Sequence, residues 1–362
     1  MNDVLLPLGQ VAAIGGAVAI GPLLWWRQRS RRATPAGRLR ALTLLTMFLT
    51  FDLIVFGAFT RLTDSGLGCP DWPGCYSAAT PVGARDHIEA AQTAMPTGPV
   101  THGKAWIEMI HRYLASGVGL LILVMAVLSW RLRREAGGQA PSPWLPTLTL
   151  VWVCVQGAFG ALTVTMKLFP AIVTLHLLFG LGLLMLLAWQ YEAFEPQRLE
   201  VPTWLRAAVV LVLTLAVGQV ALGGWVSTNY AVLACDEFPT CRGGQWWPRL
   251  DFAQGFELWR ELGQKAGGGY LPYEALAAIH MAHRLGAAVV LTALLLLAWA
   301  FRRATRRGSR ALLAVAGWQL VSGLSNVVLD WPLIAALAHT AGAAVLLALL
   351  TLLFARTRRA AH

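Results

Sequence analysis

Charged residues are scarce in this sequence. Only 13% of its 362 residues are Asp, Glu, Lys or Arg, whereas 57% are hydrophobic, and the mean hydropathy is +0.58. Soluble domains carry about 25% charged residues, so this composition excludes a soluble protein with an ordinary polar surface. Basic residues are also lacking before the first apolar run, where Asp3 stands instead, and a cleaved signal peptide would need them. We therefore predict an integral membrane protein that keeps its first helix.

Nine apolar runs are each long enough to cross a bilayer as a helix, which takes about 20 residues for about 30 Å of hydrocarbon. They cover residues 5–26, 41–60, 106–130, 146–166, 170–190, 205–227, 274–301, 311–329 and 333–354. Arginine clusters follow the first, third and seventh runs and end the chain, so they share one side if the runs alternate. The positive-inside rule assigns that side, with the C-terminus, to the cytoplasm. This topology accounts for the net charge of +11 without a nucleic-acid partner.

Cysteines are few as well. Of five, four form two close pairs, Cys69 with Cys75 and Cys235 with Cys241. The pairs lie in the long connections 61–104 and 228–273 on the opposite, periplasmic side, where an oxidising compartment favours disulfides. The alternative is a zinc site of four cysteines, but each connection supplies one pair and no nearby histidine completes the set. Cys154 lies within a span, and we expect it to be a small buried hydrophobic residue.

Two halves of the sequence carry the same landmarks in the same order. Each half has a glycine twelve residues before its first cysteine, then the cysteine pair, a His-Arg step, a Gln and a Gly within one span, a proline and one more histidine. We predict an all-α fold with two pseudo-symmetric four-helix transmembrane bundles, 41–195 and 205–355, that form a parallel repeat. Residues 1–40 stand outside the repeat as an extra N-terminal transmembrane helix with a basic linker.

Ionisable side chains inside two of the predicted spans mark the candidate site, because such groups normally face a bundle interior. One set lies in KAWIEMIHRY, residues 104–113, and the other in AAIHMAHRL, residues 277–285. The sets are Glu108, His111 and Arg112 in the first stretch and His280, His283 and Arg284 in the second. The two stretches therefore differ at one polar position, where Glu108 corresponds to His280.

Each half supplies two histidines within its spans, His111 with His176 and His283 with His339. Counted from the predicted helix ends at 1.5 Å per residue, three of them lie about 9 Å deep, and His283 lies deeper unless its helix begins later. Two histidines at one depth on facing helices present imidazoles to both sides of a flat slot, which is the geometry of six-coordinate haem iron. The alternatives are packed, hydrogen-bonded histidines, or a zinc site with Glu108 as third ligand.

Arg112 and Arg284 directly follow two of these histidines. They could pair with haem propionates as charge-assisted donors. They could equally extend to lipid headgroups. The residues alone leave both interpretations open.

Longer motifs resemble one known family. The stretches FGAFTRLTDSGLGCPDWPGC, KAWIEMIHRYLA and HMAHRLGA, with the histidines after Pro170 and Pro332, resemble the haem A synthase family of bacterial and mitochondrial inner membranes over about residues 41–354. The resemblance implies oxidation of the C8 methyl of haem O to a formyl group, which yields haem A for cytochrome c oxidase. Family members have eight helices, so the helix at 5–26 departs from their pattern.

The resemblance also implies roles for the site residues. The implied ligands are His111 and His176 for the substrate haem and His283 and His339 for a b-type haem cofactor. Glu108 would be the essential acidic residue, and its spacing of three from His111 puts both on one helix face. Because His280 replaces the glutamate in the second half, only the first half is expected to perform chemistry.

The partners implied by the resemblance are haem O, the haem O synthase that supplies it, an unidentified electron-transfer partner and membrane lipid, with a homo-oligomer as an open option. The expected location is the bacterial inner membrane. Two other functions use the same four histidines: a dihaem b-type electron carrier and a haem transporter or chaperone. The electron carrier gives no reason for a membrane glutamate in only one half, and a transporter or chaperone would hold haem only in transit.

Overall fold

A computed structural model describes residues 2–135, 141–265 and 268–359, and most of these are helical. The helices are α1 Asn2–Arg29, α2 Pro35–Leu62, α3 Arg85–Ala94, α4 His102–Glu135, α5 Trp144–Thr165, α6 Pro170–Phe194, α7 Thr203–Thr228, α8 Phe252–Gly255, α9 Tyr273–Phe301, α10 Arg306–Val328 and α11 Leu333–Arg356. Within the described ranges, nine of them are long and apolar enough to cross a membrane. The nine predicted spans are thereby confirmed.

Most of the helices extend past the apolar runs that predicted them. For example, α4 begins at His102 and ends at Glu135, whereas its apolar run covers 106–130. A bilayer selects apolar side chains only over its hydrocarbon thickness, and the polar turns beyond it continue the same backbone hydrogen bonds. Hydropathy therefore predicts the existence of these helices better than their ends.

Two three-residue strands were not predicted. β1, Leu199–Val201, pairs in parallel with β2, Thr357–Arg359, and Leu199 lies opposite Thr357. The pair joins the connection before α7 to the residues after α11. Three-residue strands carry too little alternation to be recognised from sequence.

The described chain divides into two compact units. The first comprises 1–168 and 179–196, and within it α4 contacts α1, α2 and α5. Its apolar core includes Leu42, Leu121 and Leu187. A buried polar cluster crosses this core: the Gln190 amide donates to Thr43 Oγ1 at 3.1 Å and accepts from Thr149 Oγ1 at 3.1 Å. Such polar groups must be satisfied by protein because lipid offers no hydrogen bonds.

The second unit comprises 169–178 and 197–362. Within it α7 contacts α9 and α11, and α10 contacts the same two helices, so the four close into a bundle. Buried leucines such as Leu294, Leu297 and Leu347 fill it. The first part of α6, up to residue 178, groups with this unit. The repeat relation between the two bundles stays a prediction.

Cys154 lies on an exposed face of α5. The expectation that it is buried was therefore wrong. Lipid is as apolar as a protein core, so a small apolar side chain on a membrane helix needs no cover from other helices. Hydrophobicity alone does not tell the two environments apart.

Candidate functional site

Both predicted disulfides are present. Cys69 bonds Cys75, with Cα atoms 4.9 Å apart, and Cys235 bonds Cys241, with Cα atoms 4.2 Å apart. We call residues 65–79 the first cysteine loop and residues 231–245 the second cysteine loop. All four cysteines are fully buried, so each bridge lies inside the folded loop.

Glu108 connects α4 to the first cysteine loop. Its side chain is only 4% exposed, and its Oε2 accepts a hydrogen bond from the backbone N–H of Cys69 at 2.8 Å. Its Oε1 forms an ion pair with Arg112, one turn further along α4. A carboxylate buried in a span is costly unless it is paired and hydrogen-bonded, and Glu108 has both kinds of partner.

Arg112 extends this connection across the loop. Its guanidinium donates to the carbonyl oxygens of Asp71 at 3.0 Å, Pro73 at 3.2 Å and Gly74. The Tyr113 hydroxyl donates to the carbonyl of Ala79 at 2.6 Å. One end of α4 thus holds most of the first cysteine loop through its backbone.

Gly68 allows the loop to approach α4 this closely. A Cβ atom at this position would lie 2.4 to 2.6 Å from the backbone of Lys104 and Ala105. No real Cβ contact is so short, so any side chain here would push the loop away from α4. Since Cys69 follows directly, that shift would also remove its N–H from Glu108.

His111 lies one turn from Glu108 on α4 and packs against α2. Its ring stacks on Phe56, with centroids 6.1 Å apart and planes at 13°. A Cβ atom at Gly57 would lie 3.0 Å from the His111 Cε1 atom, so the glycine leaves room for the imidazole. His176 lies in the first part of α6, and that part groups with the second unit. His111 belongs to the first unit.

α9 holds the second cysteine loop in a related way. Arg284 donates to the carbonyl oxygens of Thr240 at 2.9 Å, Cys235 at 3.0 Å and Glu237 at 2.7 Å. His280 Nδ1 lies 3.0 Å from the Ala231 carbonyl and donates to it. Both arginines thus donate to loop carbonyls, a contact that neither sequence interpretation had foreseen. Their pairing with haem propionates stays a prediction.

His283 and His339 are brought together inside the second unit. Their ring centroids are 6.4 Å apart and their planes stand at 85°. α9 begins at Tyr273 and α11 at Leu333, so these histidines are ten and six residues into their helices. The helix starts therefore lie at different levels, and counting from each start could not pair the two rings.

The separation of the two rings can be compared with that of two axial ligands of one haem iron. A metal–nitrogen bond of about 2 Å on each side, with roughly 1 Å from each nitrogen to its ring centre, predicts centroids roughly 6 Å apart. The observed 6.4 Å agrees with that separation. No group of three or more His, Cys, Asp or Glu side chains that could hold a metal occurs among the described residues, so a zinc site with three protein ligands has no support there.

Four residues around this pair were missed as site residues. Ser322 Oγ lies 3.0 Å from His339 Nδ1, and the Gln219 amide lies 3.0 Å from His283 Nδ1. Gly223 and Gly323 lie behind the rings: a Cβ atom there would be 3.0 Å from His283 Cε1 and 3.2 Å from His339 Cε1, respectively. Both glycines were landmarks of the sequence repeat, so their recurrence was the signal that could have identified them.

Charged side chains outside the spans shape the second cysteine loop. Arg242 forms an ion pair with Asp236 at 3.0 Å. Arg242 holds the pKa of Asp236 below the usual value of 3.8, mainly through its hydrogen bond and to a lesser extent through its positive charge. The backbone N–H of Gly244 and the Thr240 hydroxyl likewise lower the pKa of Glu237. These carboxylates stay ionised at neutral pH and keep the turn closed.

Known proteins resemble this chain over most of its length. Residues 40–351 match the family described as COX15-CtaA, cytochrome oxidase assembly protein. A haem A synthase of Shewanella oneidensis is 41% identical over 310 residues, which is 84% of this chain and 92% of that protein. The haem A synthases of Alkalihalophilus pseudofirmus and Shouchella clausii are 26% and 27% identical, over 90% and 77% of this chain and 99% and 80% of theirs.

Proposed function

Because the chain belongs to the COX15-CtaA family of cytochrome oxidase assembly proteins, we propose that it catalyses the haem A synthase reaction. The reaction oxidises the C8 methyl of haem O to a formyl group, and haem O is the substrate. The observation that carries the proposal is the 41% identity to a haem A synthase over 92% of that protein. The resemblance of the sequence motifs to this family is thereby confirmed.

We assign the two haem sites to different histidines. His283 and His339 hold a resident b-type haem, which their 6.4 Å separation supports. Such a haem, when bound, supplies one-electron redox chemistry. His111 and His176 are assigned to the substrate haem by the family resemblance, and the glycine behind the His111 ring supports a defined position for that imidazole. The assignment assumes that the two four-helix bundles form a repeat.

Glu108 is the proposed catalytic group. It stands three residues from His111 on the same face of α4, so a haem bound through His111 would lie beside it. Its carboxylate either accepts a proton from the substrate methyl or stabilises positive charge that develops there. The Cys69 N–H and Arg112 fix the two oxygens in place, which preorganises the carboxylate for either role.

The arginine clusters and the C-terminus are proposed to be cytoplasmic, and both cysteine loops periplasmic, in a bacterial inner membrane. Haem O would be handed over by the haem O synthase that makes it. The formyl oxygen would come either from water, with four electrons released to an electron-transfer partner, or from dioxygen, with electrons supplied by that partner. Nine helices able to cross a membrane support the multi-pass location.

Glu108→Gln tests the catalytic assignment. Gln keeps the shape and can still accept from Cys69 N–H, but it carries no charge and cannot serve as a base. We expect the variant to retain the b-type spectrum while haem O or a hydroxylated intermediate replaces haem A in the extracted pigment. The measurement is chromatography of extracted haems alongside the melting temperature.

Glu89→Gln, an exposed change on α3, is the matched control and should leave haem A production intact. Wild-type haem A production by Glu108→Gln would contradict the catalytic role. A joint fall in melting temperature and haem content would show instead that Glu108 serves only as the partner of Arg112. Extracted pigment containing haem B alone in the wild-type protein would favour an electron carrier.

A further inference from the structure

The imidazoles of His283 and His339 each have a side chain from a neighbouring helix at Nδ1. Ser322 on α10 approaches His339 Nδ1 to 3.0 Å, and Gln219 on α7 approaches His283 Nδ1 to 3.0 Å. A histidine that binds metal through Nε2 carries its proton on Nδ1, and that proton needs an acceptor. The geometry therefore bears on how these histidines bind iron.

Ser322 is placed to accept this proton. Its hydroxyl has one hydrogen, and Oγ lies 2.7 Å from the carbonyl oxygen of Trp318, one turn earlier on α10. With the hydrogen donated there, the lone pairs of Oγ face the Nδ1–H of His339. This arrangement leaves Nε2 of His339 unprotonated and able to bind iron.

Gln219 can take the same role through a half-turn of its amide. In one orientation its nitrogen lies 3.0 Å from both Nδ1 and the carbonyl oxygen of His283. Its Oε1 is then buried, with no hydrogen-bond partner among the residues that the structure describes. A half-turn exchanges the two atoms, so that Oε1 accepts from Nδ1–H and the amide no longer donates to the carbonyl oxygen of His283. Iron at Nε2 of His283 requires the proton on Nδ1 and therefore selects this second orientation.

We propose that Gln219 and Ser322 are positioning residues for the resident haem. They fix the tautomer and ring orientation of His283 and His339, and they make both imidazoles stronger donors to iron. Stronger donation stabilises ferric iron, lowers the reduction potential and retains the haem. This proposal rests on the assignment of His283 and His339 as ligands in the proposed function.

The residue types at these two positions differ between the halves. When the glycines of the predicted repeat are aligned, Gln219 corresponds to Leu53 and Ser322 to Phe159. Neither Leu nor Phe can accept a hydrogen bond. The half proposed to hold a resident cofactor thus carries polar side chains where the other half carries apolar ones.

The test compares Ser322→Ala and Gln219→Met with the wild-type protein. Each variant removes an acceptor with little change of shape. We expect the low-spin b-type spectrum to persist, the midpoint potential to become more positive, and haem retention to weaken roughly 10- to 100-fold. The measurements are a potentiometric titration and the rate of haem transfer to excess apomyoglobin. Ser322→Thr keeps a hydroxyl and should return the wild-type potential.

Ser325→Ala is the matched control, because the Ser325 hydroxyl donates to the carbonyl of Val321 on its own helix at 2.8 Å. Potentials and transfer rates equal to wild type in Ser322→Ala and Gln219→Met would overturn the proposal. If Gln219→Met fails to fold, Ser322→Ala decides alone. A b-type spectrum that survives His283→Ala would overturn the ligand assignment itself, whereas an unchanged potential with normal haem A production would overturn only the role of Ser322 and Gln219.

Discussion

The first and second cysteine loops are each held by an arginine that donates to their backbone carbonyls, Arg112 in one and Arg284 in the other. They differ at the residue one turn before that arginine. Glu108 accepts the N–H of Cys69, whereas His280 donates to the carbonyl of Ala231. The first loop thus presents a donor to a carboxylate, and the second presents an acceptor to an imidazole N–H.

The comparison distinguishes the arginine contact that both loops share from the carboxylate contact that only the first loop has. Attaching a loop to its helix requires only donors on the helix, and both arginines provide them. A carboxylate is a costly way to add one more contact in a span, and this cost favours the chemical role proposed for Glu108. The first loop has Gly68 where the second loop has Ala234. Because Gly68 has no Cβ, the first loop can lie close enough to α4 for the Cys69 N–H to reach Glu108.

The comparison is tested most strongly by the four histidines. Replacing His283 or His339 by Ala should abolish the stable b-type spectrum, because one axial ligand of the resident haem is lost. Replacing His111 or His176 by Ala should chiefly abolish haem A while the b-type spectrum remains. Optical spectra of the four variants, purified at equal yield, decide this. If all four lose the same haem equally, the proposed division of labour between the His111/His176 pair and the His283/His339 pair is wrong.

A smaller effect is expected from Gly68→Ala, which gives the first loop the residue of the second. The new Cβ would displace the loop from Lys104 and withdraw the Cys69 N–H from Glu108. Hydrogen bonds to charged groups contribute about 1.5–3 kcal/mol, so we expect haem A production to fall roughly tenfold or more while the b-type spectrum persists.

Gly103→Ala is the control for this change. Gly103 lies on α4, next to Lys104, and a Cβ atom there would have nothing within 4 Å. The ratio of haem O to haem A in the extracted pigment measures the effect. Equal ratios in the two variants would show that the loop backbone does not position Glu108.

The smallest effect is expected from Asp236→Asn in the second loop. Arg242 lowers the pKa of Asp236 below 3.8, so the stabilisation is present above pH 3.8 and is lost as the pH falls through the lowered pKa. The pair is partly exposed, and the effect is correspondingly slight. At pH 7 a phosphine should reduce the Cys235–Cys241 bridge somewhat faster in the variant than in the wild type, and this difference should shrink below pH 3.8.

The Cys69–Cys75 bridge serves as the internal reference for that measurement. Its reduction rate should be the same in both proteins at each pH. A change in both bridges would point to a general loss of stability. Equal rates for Cys235–Cys241 at pH 7 would show that the ion pair does not hold the second loop closed.

Much of the fold was readable from local composition. The nine spans follow from hydropathy, and the two disulfides follow from close spacing, intervening Pro and Gly, and compartment. The positions of Cys154 and of β1 and β2 were not predicted correctly, because the direction in which a helix residue faces and the pairing of short distant segments depend on neighbours far along the chain.

The sequence by itself determined the membrane location, the nine helices long and apolar enough to cross a membrane, the paired cysteines and the set of candidate histidines with Glu108. These depend on the chemistry of single residues or short runs. Only the tertiary structure decided that Glu108 meets the Cys69 N–H, that Arg112 and Arg284 reach loop carbonyls, and that Ser322 and Gln219 stand at Nδ1 of the two histidines. Those contacts join residues 17 to 64 positions apart, and no local pattern records which helix faces meet or at what level each helix begins.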